Sequence, residues 1–597
     1  MHQQQSSGHG RHCRAADTAC LAAQFEPALA PAAAGMTASV AVTETPASSL
    51  ASSVELDPSL VGLSYARLSA RTQGFRLGAP RAIQVAADGS RIAFVRSSSA
   101  ASTVNQLLVV DVGHDGSLAH ERVVVDPAAL LGADENVPAE ERARRERMRE
   151  TTSGVTTFTA DAGLQTAVFA LSGELWLVSL EQSGAAPTRL DVPGPVIDPR
   201  LSPQGTHVAF IARGGIHVLD LVSGNVRTLA TAESDAITYG LANFVAAEEL
   251  DRHRGHWWSP DGRSLLVERA DSTEVSTWWI ADPANPSAAP HEHRYPAAGT
   301  TNPALELHIY DINSGGKVVA DWDRAAFEYL VTVGWQKDHK PLITVMNRRQ
   351  DRQQVLEVDP VSGATSLLWQ SHDECWVEWI SGLPAWSPAG ELVVHHDDLN
   401  ADTRRVSVVR SGALSALSPQ GLQVQSVLAM DESGLLIAAT PDSPFMQVHH
   451  IGWDGNATVV ADSDDDGWHS ATAGSASPEG LMVVASTGLA ATATTFRVLR
   501  DGRQLGELRS RAVGPESAVP PVNPRVALHH VGTRELRTMV LFPEDHVMGS
   551  RRLPVVMCPY GGPHAVVAVA AGLSHARAQF LANQGFAVVI ADGRGTP

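Results

Sequence analysis

Short segments of alternating apolar and polar residues recur through the middle of the chain, each preceded by a turn that ends in glycine. Examples are DGSRIAFV at Gly89, SPQGTHVAFI at Gly205, SPDGRSLLV at Gly262 and SPAGELVVHH at Gly390. Asp-Gly and Pro-x-Gly turns reverse the chain at low strain, and alternation lets a strand bury one of its faces. The pattern therefore predicts a series of antiparallel β-sheets.

The spacing of these turns indicates a repeat. Gly163 and Gly205 lie 42 residues apart, and Gly390 and Gly434 lie 44 residues apart. A period of about 40–50 residues is typical of the four-stranded blades of a propeller. We predict a β-propeller over residues 76–515 with seven or eight blades, eight being favoured. A row of β-sandwiches is the alternative, but such arrays rarely repeat one turn chemistry at this period.

The character of the chain changes after residue 515. Two almost entirely apolar segments, PVVMCPY and FAVVIAD, flank a helix predicted from Ala576 to Gln584. The order of strand, helix and strand indicates an α/β domain, and strands this apolar are typical of a parallel sheet covered on both faces. We predict that residues 516–597 begin an α/β domain but do not complete it.

One segment inside the repeat region is helical in pattern. PAEERARRERMRE (Pro138 to Glu150) has a proline near its start, acidic residues first and arginines later, as a helix stabilised through its own dipole would have. Its Glu/Arg pairs four residues apart also suit a solvated surface helix with no functional role.

The N-terminal region is unlike the rest. Residues 1–55 are rich in Ala, Ser and Thr and poor in aromatic residues, so we predict that they are disordered or precede the true start, with Met36 as an alternative first residue. Residues 56–75 then lead into the propeller. The first residues do not follow the charged-then-apolar pattern of a secretion signal, and we expect a cytoplasmic protein.

Composition narrows the possible partners. The 45 basic and 65 acidic residues give a formal charge of −20, which disfavours nucleic acid and anionic lipid but suits a cationic ligand such as a free amine. No apolar run is long enough to predict a membrane span. The four cysteines do not have metal-ligand spacing, so we expect a reducing compartment, no metal and no cofactor. A Cys13–Cys20 disulfide is possible but less favoured than two free thiols.

Four segments resemble the dipeptidyl peptidase IV family of serine peptidases, in the order in which that family has them. They are NFVAAEELDRHRGHWWSPDG (Asn243 to Gly262), RYPAAGTTNP (Arg294 to Pro303), VMNRRQ (Val345 to Gln350) and PYGGPH followed by DGRG. The resemblance implies a β-propeller followed by the start of an α/β-hydrolase domain. It also implies removal of N-terminal dipeptides, preferably after Pro or Ala, from peptides with a free N-terminus, and a homodimer when the protein is complete.

The same resemblance suggests roles for five residues. Glu248 and Glu249 match two adjacent glutamates that hold the substrate's ammonium group, and adjacent carboxylates repel each other unless a cation binds or one takes a proton. Arg145 and Arg147 are the candidates by motif position for the arginine that reaches the carbonyl of the substrate's second residue, although residues 142–149 contain five arginines and the choice among them stays open. Tyr560 matches a tyrosine of the oxyanion hole. A solvated charged loop and a buried tyrosine at a strand end are the alternatives.

The nucleophile is not apparent in the sequence. A serine peptidase of this fold needs Gly-x-Ser-x-Gly, followed by Asp and His, and the segment Gly572-Leu-Ser574-His-Ala lacks the second glycine. We therefore expect the catalytic Ser/Asp/His triad to be absent from this chain and the chain to be inactive by itself. The alternative is a non-catalytic propeller that binds peptides or a protein. An oligopeptidase or acylaminoacyl peptidase has no support, since those enzymes do not bind an ammonium group through paired glutamates.

Overall fold

A computed structural model provides the structure of the chain. The residues that it describes are 59–60, 62–131, 135–181, 184, 186–460, 467–477, 479–512, 524–561 and 565–593. All of them belong to one compact unit, Val54–Pro597. The prediction of disorder for residues 1–55 and the pair Cys13 and Cys20 lie outside the described residues.

Within the described residues from 81 to 507, eight mainly antiparallel sheets of four or five strands follow one another in chain order. The first contains β1 (Arg81–Val85), β2 (Arg91–Ser97), β3 (Val104–Asp111), β4 (Arg122–Val125) and β5 (Ser153–Gly154). The second contains β6 (Thr159–Ala160), β7 (Thr166–Leu171), β8 (Glu174–Ser179) and β9 (Thr188–Leu190), and the third β10 (Val196–Leu201), β11 (His207–Ala212), β12 (Gly215–Asp220) and β13 (Val226–Ala230). The fourth contains β14 (Ile237–Tyr239), β15 (His256–Trp258), β16 (Ser264–Asp271), β19 (Ala304–Asp311) and β20 (Lys317–Val319).

The remaining four sheets are built in the same way. The fifth contains β21 (Tyr329–Gly334), β22 (Leu342–Met346), β23 (Arg352–Val358) and β24 (Thr365–His372), and the sixth β25 (Ala385–Trp386), β26 (Leu392–Asp398), β27 (Thr403–Arg410) and β28 (Ala413–Ala416). The seventh contains β29 (Gln423–Asp431), β30 (Gly434–Thr440), β31 (Gln447–Ile451) and β32 (Ala457–Val459), and the eighth β33 (Gly467–Ala473), β34 (Met482–Gly488), β35 (Thr495–Arg500) and β36 (Arg503–Glu507).

The repeated turns have one local structure. In four of them the glycine N–H donates to the carbonyl of a serine three residues earlier, at 2.8–2.9 Å. These pairs are Gly205 with Ser202, Gly262 with Ser259, Gly390 with Ser387 and Gly480 with Ser477. The first three of these glycines have φ between 68° and 77°, a conformation that glycine adopts without strain. The recurring sequence therefore forms a recurring hairpin.

Apolar clusters join each sheet to the next. Phe169 of the second sheet packs with Val109 of the first, and Phe210 of the third packs with Val168 of the second. The later sheets continue this arrangement pair by pair. Phe94 of the first sheet also packs with Val483 and other residues of the eighth, so that the series returns to its start. This arrangement fits the β-propeller predicted for this part of the chain.

Four helices and one hairpin interrupt or precede the series in the described residues. The helices are α1 (Tyr65–Arg71), α2 (Pro127–Leu131), α3 (Ala139–Arg147) and α4 (Phe244–Glu249). Helix α3 confirms the helix predicted between Pro138 and Glu150. The hairpin consists of β17 (Thr277–Ile280) and β18 (His291–Arg294) and extends from the fourth sheet. No described helix has both the length and the apolar character needed to cross a membrane.

A ninth sheet follows the first eight. It contains β37 (Val526–Val531), β38 (Leu536–Leu541), β39 (Val555–Pro559) and β40 (Ala587–Ala591), in the spatial order β37-β38-β40-β39. β39 and β40 are parallel, and a 3-10 turn (Gly572–His575) and α5 (Ala576–Ala582) connect them. The predicted strand, helix and strand are thus present, although the helix ends at Ala582 and not at Gln584.

The expectation that β39 is covered on both faces is wrong. Val555 and Met557 are each 58% exposed, whereas Val556 and Cys558 pack in the cluster that contains α5. Side chains alternate between the two faces of a strand, and in the part of the chain that the structure describes only one face of β39 has a packing partner. The apolar composition of this segment therefore predicted a strand correctly, but the prediction that both faces of the strand are buried was wrong.

Replacing Phe94 with alanine tests the packing of the first sheet against the eighth. Phe94 is fully buried, so Phe94→Ala should leave a cavity and lower the free energy of unfolding by about 3–5 kcal/mol. Chemical unfolding monitored by tryptophan fluorescence measures the change. Val222→Ala, at a residue that is 87% exposed, should change stability by less than about 0.5 kcal/mol. Equal midpoints for the two variants would contradict the packing described.

Candidate functional site

A cavity of about 970 Å³ lies among α3, α4 and the loops that follow them. Its wall includes the end of α3, the end of α4 with the segment 250–254, and the segment 378–382 that precedes the sixth sheet. Segments far apart in the sequence therefore share one concave surface. A cavity of this size with several convergent charged groups suits a small polar ligand.

Helix α4 places two predicted residues, Glu248 and Glu249, in the cavity wall. The helix begins after Asn243, whose side chain accepts a hydrogen bond from the N–H of Ala246 at 3.1 Å. Glu248 is partly buried and Glu249 is exposed. Both lie in the last turn, where the helix dipole disfavours negative charge. A bound cation would relieve both that effect and the repulsion between the carboxylates.

A buried carboxylate holds α4 in place. Glu268 of β16 has no exposed surface, and its Oε1 accepts hydrogen bonds from the backbone N–H of Asn243 at 3.1 Å and the side chain of Asn243 at 2.9 Å. Its Oε2 lies 2.5 Å from Nη2 of Arg252. Asn243 precedes α4 and Arg252 follows it, so one side chain fixes both ends. We did not identify Glu268 from the sequence, although an acidic residue within the apolar strand SLLVERAD was the available signal.

The two candidate arginines of α3 have different surroundings. Arg145 is buried and pairs with Glu135 at 2.8 Å and with Glu141 at 2.9 Å, and it is not part of the cavity wall. Arg147 lines the cavity, where its guanidinium lies 5.6 Å from the ring centre of Phe244. Burial lowers the pKa of Arg147, and the nearby Glu248 opposes that shift. Of the two, only Arg147 is in the same cavity as the glutamates.

Another arginine of residues 142–149, outside the two named candidates, contacts one of the glutamates. Nη2 of Arg149 lies 3.3 Å from Oε2 of Glu248, and the Arg149 side chain is 75% exposed. Exposed ion pairs of this kind contribute little, about 0–1 kcal/mol. Arg149 can therefore be displaced from Glu248 by a better placed cation at small cost.

Two buried ionisable groups lie behind the wall. Burial alone would raise the pKa of Asp198, but Arg200, at 2.7 Å, and the more distant Arg144 lower it to about 2. Burial lowers the pKa of His256 to about 4, and its Nδ1 lies 3.0 Å from the carbonyl oxygen of Gly240. Near neutral pH Asp198 is therefore ionised and His256 is uncharged.

Tyr560 lies apart from this arrangement. It follows β39 in the ninth sheet, is 37% exposed and is not among the residues that line the cavity. Its role in an oxyanion hole stays a prediction. The structure thus brings Glu248, Glu249 and Arg147 together, but not Arg145 or Tyr560.

Comparison with known proteins gives consistent matches. Residues 166–486 match the family model of the dipeptidyl peptidase IV (DPP IV) N-terminal region. Human dipeptidyl peptidase 8 is 27% identical over 259 residues, which cover 37% of this chain and 29% of that protein. The probable dipeptidyl-aminopeptidase B of Emericella nidulans is 23% identical over 473 residues, which cover 70% of this chain and 50% of that protein. The chain thus matches half or less of the length of either relative.

A solved structure has the same fold. The crystal structure of Porphyromonas gingivalis dipeptidyl peptidase 4 aligns with a TM-score of 0.69 at 17% identity, covering 88% of this chain and 74% of that one. At this identity the likeness concerns the fold, and it agrees with a β-propeller in the N-terminal region.

Replacing Arg252 tests the role assigned to Glu268. Arg252→Ala leaves a buried carboxylate without its cation and should cost about 3–5 kcal/mol of stability. Unfolding in denaturant measures this loss. Arg189→Ala is the control, since it removes an exposed ion pair with Glu174. It should lower the free energy of unfolding by less than about 1 kcal/mol. A small effect at Arg252 would mean that Glu268 does not depend on this pair.

Proposed function

The chain belongs to the dipeptidyl peptidase IV family, and we propose that it acts in a serine-type dipeptidyl peptidase. Its cavity is proposed to bind the free N-terminus of the peptide substrate. The reaction is removal of an N-terminal dipeptide, preferably after Pro or Ala. Relatives named dipeptidyl peptidase and dipeptidyl-aminopeptidase support the peptidase class. The preference for Pro or Ala rests on the sequence resemblance alone.

The observation that carries this proposal is the pair of glutamates in the cavity wall. An α-ammonium group donates up to three hydrogen bonds, and charge-assisted bonds to carboxylates are about twice as strong as neutral ones. Glu268 fixes the position of the helix that carries the pair. A fixed site for the N-terminus restricts cleavage to one distance from it, as an exopeptidase requires.

Other groups take supporting roles in the proposal. Arg147 lines the same cavity and is the candidate to donate to the carbonyl oxygen of the second residue. Arg145, paired with Glu135 and Glu141, is proposed to position α3. For cleavage we propose a Ser-His-Asp acyl-enzyme, with Tyr560 donating to the oxyanion. By itself this chain is proposed to bind peptides without cleaving them.

The finer points of the fold belong to the same proposal. We propose that each of the eight sheets between residues 81 and 507 is one blade of the propeller. We propose further that the ninth sheet, with its parallel β39–α5–β40 unit, is the start of an α/β-hydrolase domain. A cytoplasmic location is also part of the proposal.

Neutralising the glutamates should weaken peptide binding. We expect Glu248→Gln and Glu249→Gln each to raise the Kd for Ala-Pro-Ala-amide by about 10–100-fold, since each removes charged hydrogen bonds to the ammonium group. Isothermal titration calorimetry gives the Kd, and mass spectrometry of the mixture reports any cleavage. Glu432→Gln, an exposed residue outside the cavity, is the matched control. An unchanged Kd in both glutamate variants would overturn the proposal.

We also propose a homodimer, with the β17–β18 hairpin as the surface to test. Trp278, Trp279 and Ile280 are 52%, 64% and 56% exposed, which is unusual for large apolar residues on one short strand.

The double variant Trp278→Ser/Trp279→Ser should convert such a dimer into a monomer, since it removes most of the exposed apolar surface of β17. Light scattering after size-exclusion chromatography measures the mass. Val361→Ser, at a residue 82% exposed elsewhere, should leave the mass unchanged. A monomeric native chain would show that β17 is not sufficient for dimerisation, and a dimeric double variant would place the interface elsewhere.

A further inference from the structure

The cavity wall differs in charge from the rest of the chain. Seven arginines line the cavity against four acidic residues, although the chain as a whole has a formal charge of −20. Positive charge is therefore concentrated where the ligand is proposed to bind. A concave surface lined by one sign of charge raises the local concentration of ligands with the opposite sign.

Most of these arginines are already paired with carboxylates. Arg200 lies 2.7 Å from Asp198, Arg252 lies 2.5 Å from Glu268, and Arg404 lies 3.3 Å from Asp397. Arg144 and Arg149 likewise have carboxylate partners. Among the cavity arginines that the structure describes, this leaves two without a described carboxylate within 4.0 Å, namely Arg147 and Arg254. Arg147 already has a proposed role, but Arg254 does not.

Arg254 is held at the wall by its neighbours. It lies in the segment between α4 and β15, and its carbonyl oxygen accepts a hydrogen bond from Arg252 at 2.8 Å. Its guanidinium is 5.8 Å from the ring centre of Trp257, and that of Arg252 is 5.6 Å from the same ring. The aromatic ring thus fixes the guanidinium without neutralising it.

Arg254 carries a positive charge that no described carboxylate within 4.0 Å neutralises. Its side chain is exposed and lines the cavity. Desolvation by the surrounding protein, together with the charge of Arg200, lowers the pKa of Arg254 to about 10, so the side chain stays protonated at neutral pH. A carboxylate from a ligand would meet a cation that lacks a partner, and the planar guanidinium can bind both oxygens at once.

We propose that Arg254 binds a carboxylate of the peptide, so that the cavity prefers peptides carrying a negative charge a short distance from the free N-terminus. The carboxylate comes either from an acidic side chain or from the C-terminus of a very short peptide. This inference rests on the proposed function, in which Glu248 and Glu249 hold the ammonium group. One cavity would then bind both the ammonium group and a carboxylate of the same peptide.

Peptides that differ only in charge test this on the full chain. Calorimetry would compare Ala-Pro-Asp-amide with Ala-Pro-Asn-amide, and Ala-Pro-Ala free acid with Ala-Pro-Ala-amide. The first pair reports a side-chain carboxylate and the second a terminal one. We expect the charged member of at least one pair to bind about tenfold more tightly, with the advantage shrinking as salt is added. Equal affinities within both pairs would overturn the inference.

Variants connect the preference to Arg254. Arg254→Gln should reduce the preference for the charged peptide to less than about twofold, while Arg254→Lys should keep part of it. Arg189→Gln removes the same charge from an exposed position outside the cavity and should keep all of it. If Arg254→Gln keeps the full preference, another group binds the carboxylate and the assignment is wrong.

N-acetylated peptides separate this inference from the proposed function. If the free amine is recognised, acetylation should abolish binding to the native chain and to Arg254→Gln alike. Acetylated peptides that bind as tightly as free ones would refute the proposed function, whatever the preference for a carboxylate. Free peptides that bind without any charge preference would refute the role of Arg254 alone. A chain that binds none of the peptides would refute both.

Discussion

The candidate site depends on the pairing of one buried carboxylate, Glu268. A carboxylate taken fully out of water costs several kcal/mol unless cations and hydrogen-bond donors compensate it. Here Asn243 donates the hydrogen bonds and Arg252 supplies the cation, at either end of α4. Moving the helix would leave the charge uncompensated, so the position of Glu248 and Glu249 follows from the need to satisfy Glu268. Arg252 also links α4 to the fifth sheet, because it donates a hydrogen bond to the carbonyl oxygen of Leu330.

Most arginines of the cavity wall form ion pairs with carboxylates of the protein itself. The charged groups without such a partner determine which ligand the cavity can bind. Buried or partly buried pairs, such as Arg200 with Asp198, give structure without attracting a ligand. Glu249, Arg147 and Arg254 lie in the wall without a carboxylate or guanidinium partner among the described residues. Groups of both signs are thus available in one enclosed space. This arrangement suits a ligand that carries charges of both signs at a fixed separation, as a short peptide does.

The packing of the sheets explains how residues far apart in sequence form this site. Helix α3 lies between β4 and β5 of the first sheet in chain order, and α4 lies between strands of the fourth, yet Arg149, which follows α3, contacts Glu248. Each of the eight sheets shares apolar clusters with the sheet before and the sheet after it, including the eighth with the first. Such packing restricts the relative movement of neighbouring sheets and therefore of the segments they carry.

Local sequence patterns determined the turns, the strands, α3 and the paired glutamates, because each depends on residues close together in the chain. The resemblance to the dipeptidyl peptidase IV family was likewise contained in contiguous motifs. Only the tertiary structure decided which arginine of α3 lines the cavity. Residues two apart on a helix point in nearly opposite directions, so Arg145 and Arg147 cannot share a face, but the sequence does not state which face is buried. It also could not place Arg149 beside Glu248, pair Glu268 with Arg252, or leave one face of β39 uncovered, because long-range packing determines the partner of a charge and the coverage of a strand.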